Sequence, residues 1–461
     1  MIAYPQDIQT SLPQQLDPFS PVPYADDIWH VARSRKCFQD DESKLRIQWT
    51  DSNSEYGATR TTLTSLDELH AHSRKASIEP NGLRILSINQ DNSWRPLNIS
   101  RAMFEEVGRL TYSSHVLQNL SLSFHDKFMA TEAAFSSAPA FIWNEQSIEV
   151  SYIFKYAFQK TNVDKPDSWT VRQTGVYQKY DTVTKHSTWI FLNPTKDCLF
   201  QQRLMDMLMS PPQCSQLTAH PLLIHNLLFA TFFPNWREYL GVHEAKVLTV
   251  SNTTMTERIQ DHLRVNHRML ADIRSVEARC LPLQALFRSF DKTVQILHKA
   301  NSALKDCGNV QHLPWHKMDQ LLDNYEGHAD AYLQAASFLQ SRATTTAQLI
   351  ADTFSFKNSH TAQEQSDYML DLTSSTVDDS STVRVITVVT LIYLPSTFMA
   401  TLLGMNSFFE MDSETHKLIV SPQFWIFVVC AVPLTAVTVL YWWVRSKRHQ
   451  KHAKEKIEAL A

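Results

Sequence analysis

The fold is decided by the stretch LPSTFMATLLGMN, residues 394–406, which ends the first of two apolar spans near the end of the chain. No charged residue occurs from Val385 to Leu403 or from Leu418 to Val444. A helix needs about 20 apolar residues to cross the hydrocarbon core of a bilayer. The sequence therefore predicts two transmembrane helices, at residues 383–406 and 422–444.

Charged residues around the two spans predict their orientation. Arg384 precedes the first span, and lysines and arginines are frequent in the tail at residues 445–461. The linker at residues 407–421 is instead acidic, with the carboxylates Glu410, Asp412 and Glu414. Because Lys and Arg favour the cytoplasmic side of a membrane, we expect a two-pass protein with cytosolic N- and C-termini and an external acidic loop.

One face of the first span is rich in threonine. The residues of this face recur at steps of three and four: Thr387, Thr390, Leu394, Thr397 and Thr401. Hydroxyls on an apolar helix can bond to their own backbone, contact a neighbouring helix or line a water-filled passage. The Gly404-Met405-Asn406 sequence at the outer end of this face, followed by acidic residues, favours the third explanation.

These segments together resemble the CorA family of divalent metal-ion channels. The resemblance rests on LPSTF at residues 394–398, on GMN at residues 404–406, on the short acidic loop and on a second span that ends in a basic tail. Three earlier stretches, residues 84–87, 171–177 and 233–240, are similar to the divergent fungal branch of that family.

The resemblance implies an α+β cytosolic domain followed by a long stalk helix and two C-terminal transmembrane helices. It also implies a homopentamer in the lipid bilayer, in which five copies of the first span surround a pore. The selectivity mouth and pore would consist of Asn406, Gly404, Met405, Thr401 and Thr397. Apolar constrictions would lie at Leu394, Ile386 and Val383.

The resemblance also implies that carboxylates of the lower stalk sense cytosolic metal, and the candidates are Asp371, Asp378 and Asp379. Thr401 departs from the family, in which a glycine is common at this position.

The side chains of the spans favour a hydrated cation as the transported species. Neither span contains a carboxylate or a histidine that could coordinate a dehydrated divalent ion. Mg²⁺ loses its water reluctantly, whereas amide and hydroxyl oxygens can accept hydrogen bonds from that water. We therefore expect Mg²⁺ or a related divalent ion as the transported ion, and no tightly bound cofactor. The alternative is a non-conducting, membrane-anchored cytosolic sensor or interaction protein that retains the same anchor.

Composition excludes other classes of function. A net charge of -4 gives no reason to expect nucleic acid as a partner. The sequence shows neither a recognised nucleophile motif nor a phosphate-binding glycine loop, which argues against an enzyme. Eight glycines among 461 residues favour long helices over a turn-rich sheet. The N-terminus shows neither a signal peptide nor a transit peptide.

Patterning divides the part before the spans into three regions. We expect a polar, loosely ordered arm at residues 1–80, a cytosolic α/β domain at 81–250 and a helical stalk region at 251–382. Alternation predicts strands at residues 83–89, 148–158, 169–180 and 187–192, and apolar spacing predicts a helix at 101–125. The apolar segment 220–234 is too short to span a bilayer and is expected to be a core helix. The stalk is expected to run without a break into the first span.

Overall fold

A computed structural model describes residues 25–53, 57–76, 80–129, 131–144, 146–160, 168–258, 262–404, 409–411, 418–422 and 424–458. The chain divides into two compact units, Met1–Phe354 and Ser355–Ala461. The fold class is confirmed, because the first unit combines a mixed sheet with helices and the second contains two long apolar helices.

The first unit is built around a seven-stranded sheet with the order β2-β1-β3-β7-β6-β5-β4. The strands are β1 Ile47–Asn53, β2 Gly57–Leu63, β3 Leu83–Asn89, β4 Ala140–Trp143, β5 Ser147–Gln159, β6 Trp169–Asp181 and β7 Ser187–Asn193. Neighbouring strands are antiparallel except β3 and β7, which are parallel. All of the strands predicted from alternation occur, and helices cover both faces of the sheet because both faces carry buried apolar side chains.

Helices of the N-terminal half pack on one face of the sheet. They are α1 Ala25–Ser34, α2 Leu66–Lys75, α3 Arg101–Leu110 and α4 His115–Ser121, with a 3₁₀ turn at Glu42–Lys44. The single helix predicted at residues 101–125 is therefore two helices, because α3 ends at Leu110 and Tyr112 adopts a positive φ of 49°. Burial of Phe104, Val107 and Leu117 anchors α3 and α4 to the sheet.

The prediction of a loosely ordered arm at residues 1–80 is wrong for its described part, residues 25–53 and 57–76. Strand β1 lies between β2 and β3 in the sheet, and Ile47 and Trp49 are almost completely buried. The polar residues of β1 conceal this role in the sequence. Arg84 of β3 forms an ion pair with Asp51 across the strand pair, with 2.9 Å between Nε and Oδ1. Residues 1–24 lie outside the described residues.

The remaining helices of the first unit pack on the other face of the sheet. They are α5 Leu199–Met209, α6 Pro211–Thr218, α7 Leu223–Phe232, α8 Asn235–Met255, α9 His267–Cys280, α10 Leu283–Asp306 and the start of α11 His312–Leu402. The predicted core helix within residues 220–234 is confirmed as α7. Its Phe229 is fully buried, with ring centroids of Phe154, Phe290 and Tyr325 at 5.0, 5.0 and 5.4 Å.

His225 of α7 has a structural role within this core. Its Nδ1 accepts from the Tyr152 hydroxyl at 2.7 Å, and its Nε2 donates to Gln178 Oε1 at 2.8 Å. Gln178 Nε2 donates to the Pro221 carbonyl, which fixes the amide and therefore the imidazole tautomer. Burial lowers the pKa of His225 to about 3. The ring is consequently neutral and fully hydrogen-bonded, as expected for a core histidine.

Helix α11 is the predicted long stalk helix. In the first unit its apolar stripe is buried against the helical layer, at Met318, Leu322, Ala329, Ala336, Leu339, Ala343, Ala347 and Ile350. In the second unit it includes Pro395 and ends at Leu402. The second unit also contains β8 Phe409–Met411, β9 Leu418–Val420 and α12 Phe424–Glu458.

Gly175 of β6 allows a close approach between the sheet and the segment after α4. A Cβ at this position would lie 2.9 Å from one ring carbon of Phe124 and 3.2 Å from Leu192 Cβ. Both neighbours are fully buried and cannot move aside. We expect Gly175→Ala to lower the free energy of unfolding by about 1–3 kcal/mol, measured by chemical denaturation of the full chain.

Gly241 provides the matched control for this prediction. It lies in α8, and a Cβ added there would have no atom within 4 Å, so an extra methyl group meets open space. Gly241→Ala should leave stability unchanged or raise it by about 0.5–1 kcal/mol through helix propensity. Equal effects of the two substitutions would contradict the packing argument.

Candidate functional site

Two helices of the second unit are long and apolar enough to cross a membrane. They are Thr382–Leu402, with a mean hydropathy of 1.8, and Phe424–Arg448, with a mean hydropathy of 2.2. Only 6% of each apolar window is buried within the chain. Soluble proteins rarely expose so much contiguous apolar surface, so these helices are suited to lipid or to contacts with other membrane helices. The predicted spans are confirmed as apolar helices, with slightly shifted ends.

The threonines of the first span bond to their own helix through their hydrogens. Thr397 Oγ1 donates to the Tyr393 carbonyl at 2.9 Å, and Thr401 Oγ1 donates to the Thr397 carbonyl at 2.9 Å. Thr387 and Thr390 donate in the same way, at 2.7 and 2.9 Å. A hydroxyl has one hydrogen and two lone pairs, so each oxygen retains acceptor capacity. Thr397 and Thr401 are exposed within the chain and therefore offer acceptors on an apolar helix.

Gly404 closes the helix that carries these threonines. It adopts a positive φ of 62°, and its N–H donates to the Thr401 carbonyl at 3.3 Å. A left-handed residue after the last turn is the usual helix C-cap, and glycine adopts it without a steric penalty. The last carbonyls of the helix concentrate the negative end of its dipole at this point. Met405 and Asn406, the remainder of the predicted mouth, lie outside the described residues.

The predicted external loop contains a short antiparallel pair of strands that the sequence did not indicate. Strand β8 pairs with β9, with Glu410 opposite Ile419. The structure describes the backbone of Glu410, whereas Asp412 and Glu414 lie outside the described residues.

The three predicted constriction residues are exposed on α11 within a single chain. The exposed fractions are 62% for Val383, 58% for Ile386 and 70% for Leu394. Their spacing places them close to the threonine-rich face. Among the predicted regulatory carboxylates, Asp371 lies on an exposed part of α11, and Asp378 and Asp379 occupy positions of the same helix described by backbone alone.

A separate group of possible metal ligands lies in the first unit. Donor atoms of His298 on α10 and of Asp323 and Glu326 on α11 all lie within 4.8 Å of one another. His298 Nδ1 is also 2.9 Å from Asp319 Oδ1. This group was not predicted from the sequence. A sequence signal for it exists in the i, i+4, i+7 spacing of Asp319, Asp323 and Glu326, which places three carboxylates on one helical face. Their proximity to His298, however, depends on helix packing.

Comparison with models of known protein families gives two matches. A family model described as CorA-like Mg²⁺ transporter protein matches residues 249–448, and one described as CorA-like transporters matches residues 118–255. No curated protein matches at a significant level.

Solved structures also match, among them the following two. One is the full-length CmaX protein, at 12% identity over 89% of this chain and 99% of that chain, with a TM-score of 0.42. The other is the ZntB cytoplasmic domain from Vibrio parahaemolyticus RIMD 2210633, at 10% identity over 66% of this chain and 98% of that chain, with a TM-score of 0.35. The two family models together extend over residues 118–448 and include both apolar helices, and the chain belongs to the CorA-like Mg²⁺ transporter family.

Proposed function

We propose that the protein is a membrane channel that passes hydrated Mg²⁺ or a related divalent cation into the cytosol. The observation that carries this proposal is the hydrogen bonding of the threonine-rich face. Thr397 and Thr401 donate their hydrogens to their own helix and retain acceptor lone pairs on an exposed face. The outer shell of a hydrated cation consists of water hydrogens, which require such acceptors.

The passage requires several copies of the chain, because one helix cannot enclose a pore. In the proposed homopentamer, five α11 helices place Thr397 and Thr401 toward a common axis. Asn406 forms a ring of amide oxygens at the outer mouth. The apolar side chains of Leu394, Ile386 and Val383 form constrictions that close by excluding water when they approach each other.

The membrane potential supplies the driving force in this proposal. A divalent cation that moves inward gains about 4.6 kcal/mol per 100 mV, which is twice the value for one elementary charge. The acidic residues of the external loop, Glu410, Asp412 and Glu414, raise the local cation concentration at the entrance. Neither of these effects needs a chemical cofactor.

Uptake by purified protein tests the proposal. The full chain is reconstituted into liposomes that contain a Mg²⁺-sensitive dye, and uptake is measured with and without an inside-negative potassium diffusion potential. We expect uptake that increases with the potential, and liposomes without protein provide the background. An assembled oligomer that shows no uptake of Mg²⁺, Co²⁺, Ni²⁺, Mn²⁺ or Zn²⁺ would favour the alternative of a non-conducting sensor or tether.

A further inference from the structure

A polar cavity of about 750 Å³ lies in the first unit, at the carboxyl ends of the parallel strands β3 and β7. The segment after β3 contributes Gln90 and Asp91, and the segment between β7 and α5 contributes Lys196 and Asp197. Strands β1 and β2 close another side. Crevices at the carboxyl ends of parallel strands are common ligand sites in α/β folds.

The lining of this cavity carries an excess of positive charge. Its cations are Lys44, Arg46, Arg60 and Lys196, and its carboxylates are Asp91 and Asp197. Both carboxylates already accept hydrogen bonds. Asp197 accepts from Arg60 at 3.1 Å, and Asp91 accepts from Asn98 at 2.8 Å. The guanidinium of Arg46 has no acceptor within the part of the chain that the structure describes. Lys196 Nζ lies 3.9 Å from Asp197 Oδ2 and Lys44 Nζ lies 3.7 Å from Asp41 Oδ2, both long contacts between half-exposed side chains. Arg46 is therefore available to an anionic group, and both lysines can exchange these weak pairs for it.

Two of the residues that line the cavity, Gln90 and Asn98, are buried amides. The exposed fractions are 1% for Gln90 and 9% for Asn98. Gln90 Nε2 donates to the Arg95 carbonyl and Asn98 Nδ2 donates to Asp91 Oδ1, so these acceptors fix the orientation of both amides. Gln90 Oε1 and Asn98 Oδ1 have no donor among the described residues. A buried acceptor without a donor is unfavourable, so both oxygens suit a ligand that carries hydroxyl hydrogens.

We propose that this cavity binds a small phosphorylated polyol. Arg46, Lys44 and Lys196 bind the phosphate through charge-assisted hydrogen bonds, and hydroxyl groups donate to Gln90 and Asn98. A nucleotide fits less well, because the described residues of the lining include no aromatic side chain on which a base could stack. The site belongs to the first unit and does not depend on ion conduction.

Isothermal titration calorimetry of the full chain in detergent tests the proposal. The probes are glucose 6-phosphate, glycerol 3-phosphate and myo-inositol hexakisphosphate, with inorganic phosphate, glucose and ATP for comparison. We expect at least one phosphorylated polyol to bind saturably and at least tenfold more tightly than inorganic phosphate or glucose. Equal affinity for inorganic phosphate would indicate an adventitious ion only, and tighter binding of ATP than of every polyol phosphate would indicate a nucleotide site. Either result, or no binding by any polyol phosphate, overturns the proposal.

Two matched variants locate the binding. Arg46 is exposed, so Arg46→Gln should keep the fold and lower the affinity for the polyol phosphate at least tenfold. Lys75→Gln removes one positive charge from an exposed position in α2 that does not line the cavity, and should leave the affinity unchanged. Equal effects of the two variants would place the binding elsewhere and contradict the assignment. Circular dichroism of each variant confirms that the fold is retained.

Discussion

Replacement of Asn406 by alanine is expected to lower the initial rate of Mg²⁺ uptake at least tenfold. In the proposed homopentamer the substitution removes five amide oxygens from the outer ring. Each hydrogen bond to water of the hydrated ion contributes about 0.5–1.5 kcal/mol, and about 1.4 kcal/mol corresponds to a factor of ten. Loss of the whole ring therefore exceeds the energy of a tenfold change. The rate is measured by dye fluorescence in liposomes at a fixed inside-negative potential.

The control for this prediction is Asn358→Ala, the same substitution at an exposed position of α11 outside the apolar span. It should leave uptake at the native rate. Size-exclusion chromatography in detergent shows whether each variant assembles like the native protein. If Asn406→Ala assembles normally and transports at the native rate, Asn406 has no part in ion entry, even if the protein conducts.

Replacement of Phe229 by alanine is expected to lower the free energy of unfolding by about 3–5 kcal/mol. The Phe229 ring of α7 is fully buried and joins this helix to the sheet and to two further helices. It contacts Phe154 of β5, Phe290 of α10 and Tyr325 of α11, with ring centroids 5.0–5.4 Å apart. These neighbours belong to separate elements that cannot collapse together into the cavity left by the ring. The cost therefore includes both the lost burial and the unfilled space.

Phe338→Ala is the matched control for this stability prediction. Phe338 lies on α11 and is 61% exposed, so its removal should change stability by no more than about 0.5 kcal/mol. Urea denaturation of the full chain in detergent, followed by tryptophan fluorescence, measures both variants. A shift in the unfolding midpoint that is no larger for Phe229→Ala than for Phe338→Ala would show that the aromatic cluster is not central to the core.

Local sequence patterns were sufficient to predict the elements whose side chains follow a regular pattern along the chain. The spans follow from uninterrupted apolar sequence, and β5 and β6 follow from alternation. Strand β1 was missed because its sequence, IQWTDSN, is mostly polar. Its position in the sheet is determined by β2 and β3, which lie on either side of it, and not by its own composition. The β8–β9 pair was missed because three residues are too few for a periodic signal.

The residues of the candidate sites also divide into those that lie close together in sequence and those that only folding brings together. The threonine-rich face and Gly404 could be identified because a helix repeat brings them together along one stretch of chain. The cavity beside β3 and β7 could not, because Arg46, Asn98 and Lys196 are far apart in sequence and meet only in the folded sheet. The His298 group needed the packing of α10 on α11 for the same reason.

The hydrogen bonds of the α11 threonines also determine whether a cation or an anion can bind beside this helix. Each hydroxyl hydrogen is already bonded to a backbone carbonyl, so a chloride ion beside Thr397 or Thr401 would meet lone pairs and no donor. Beyond the acidic loop, rejection of anions at Thr397 and Thr401 would then come from hydrogen-bond direction and not from a fixed negative side chain. Because no group that titrates takes part, this discrimination would be independent of pH as long as the helix remains folded.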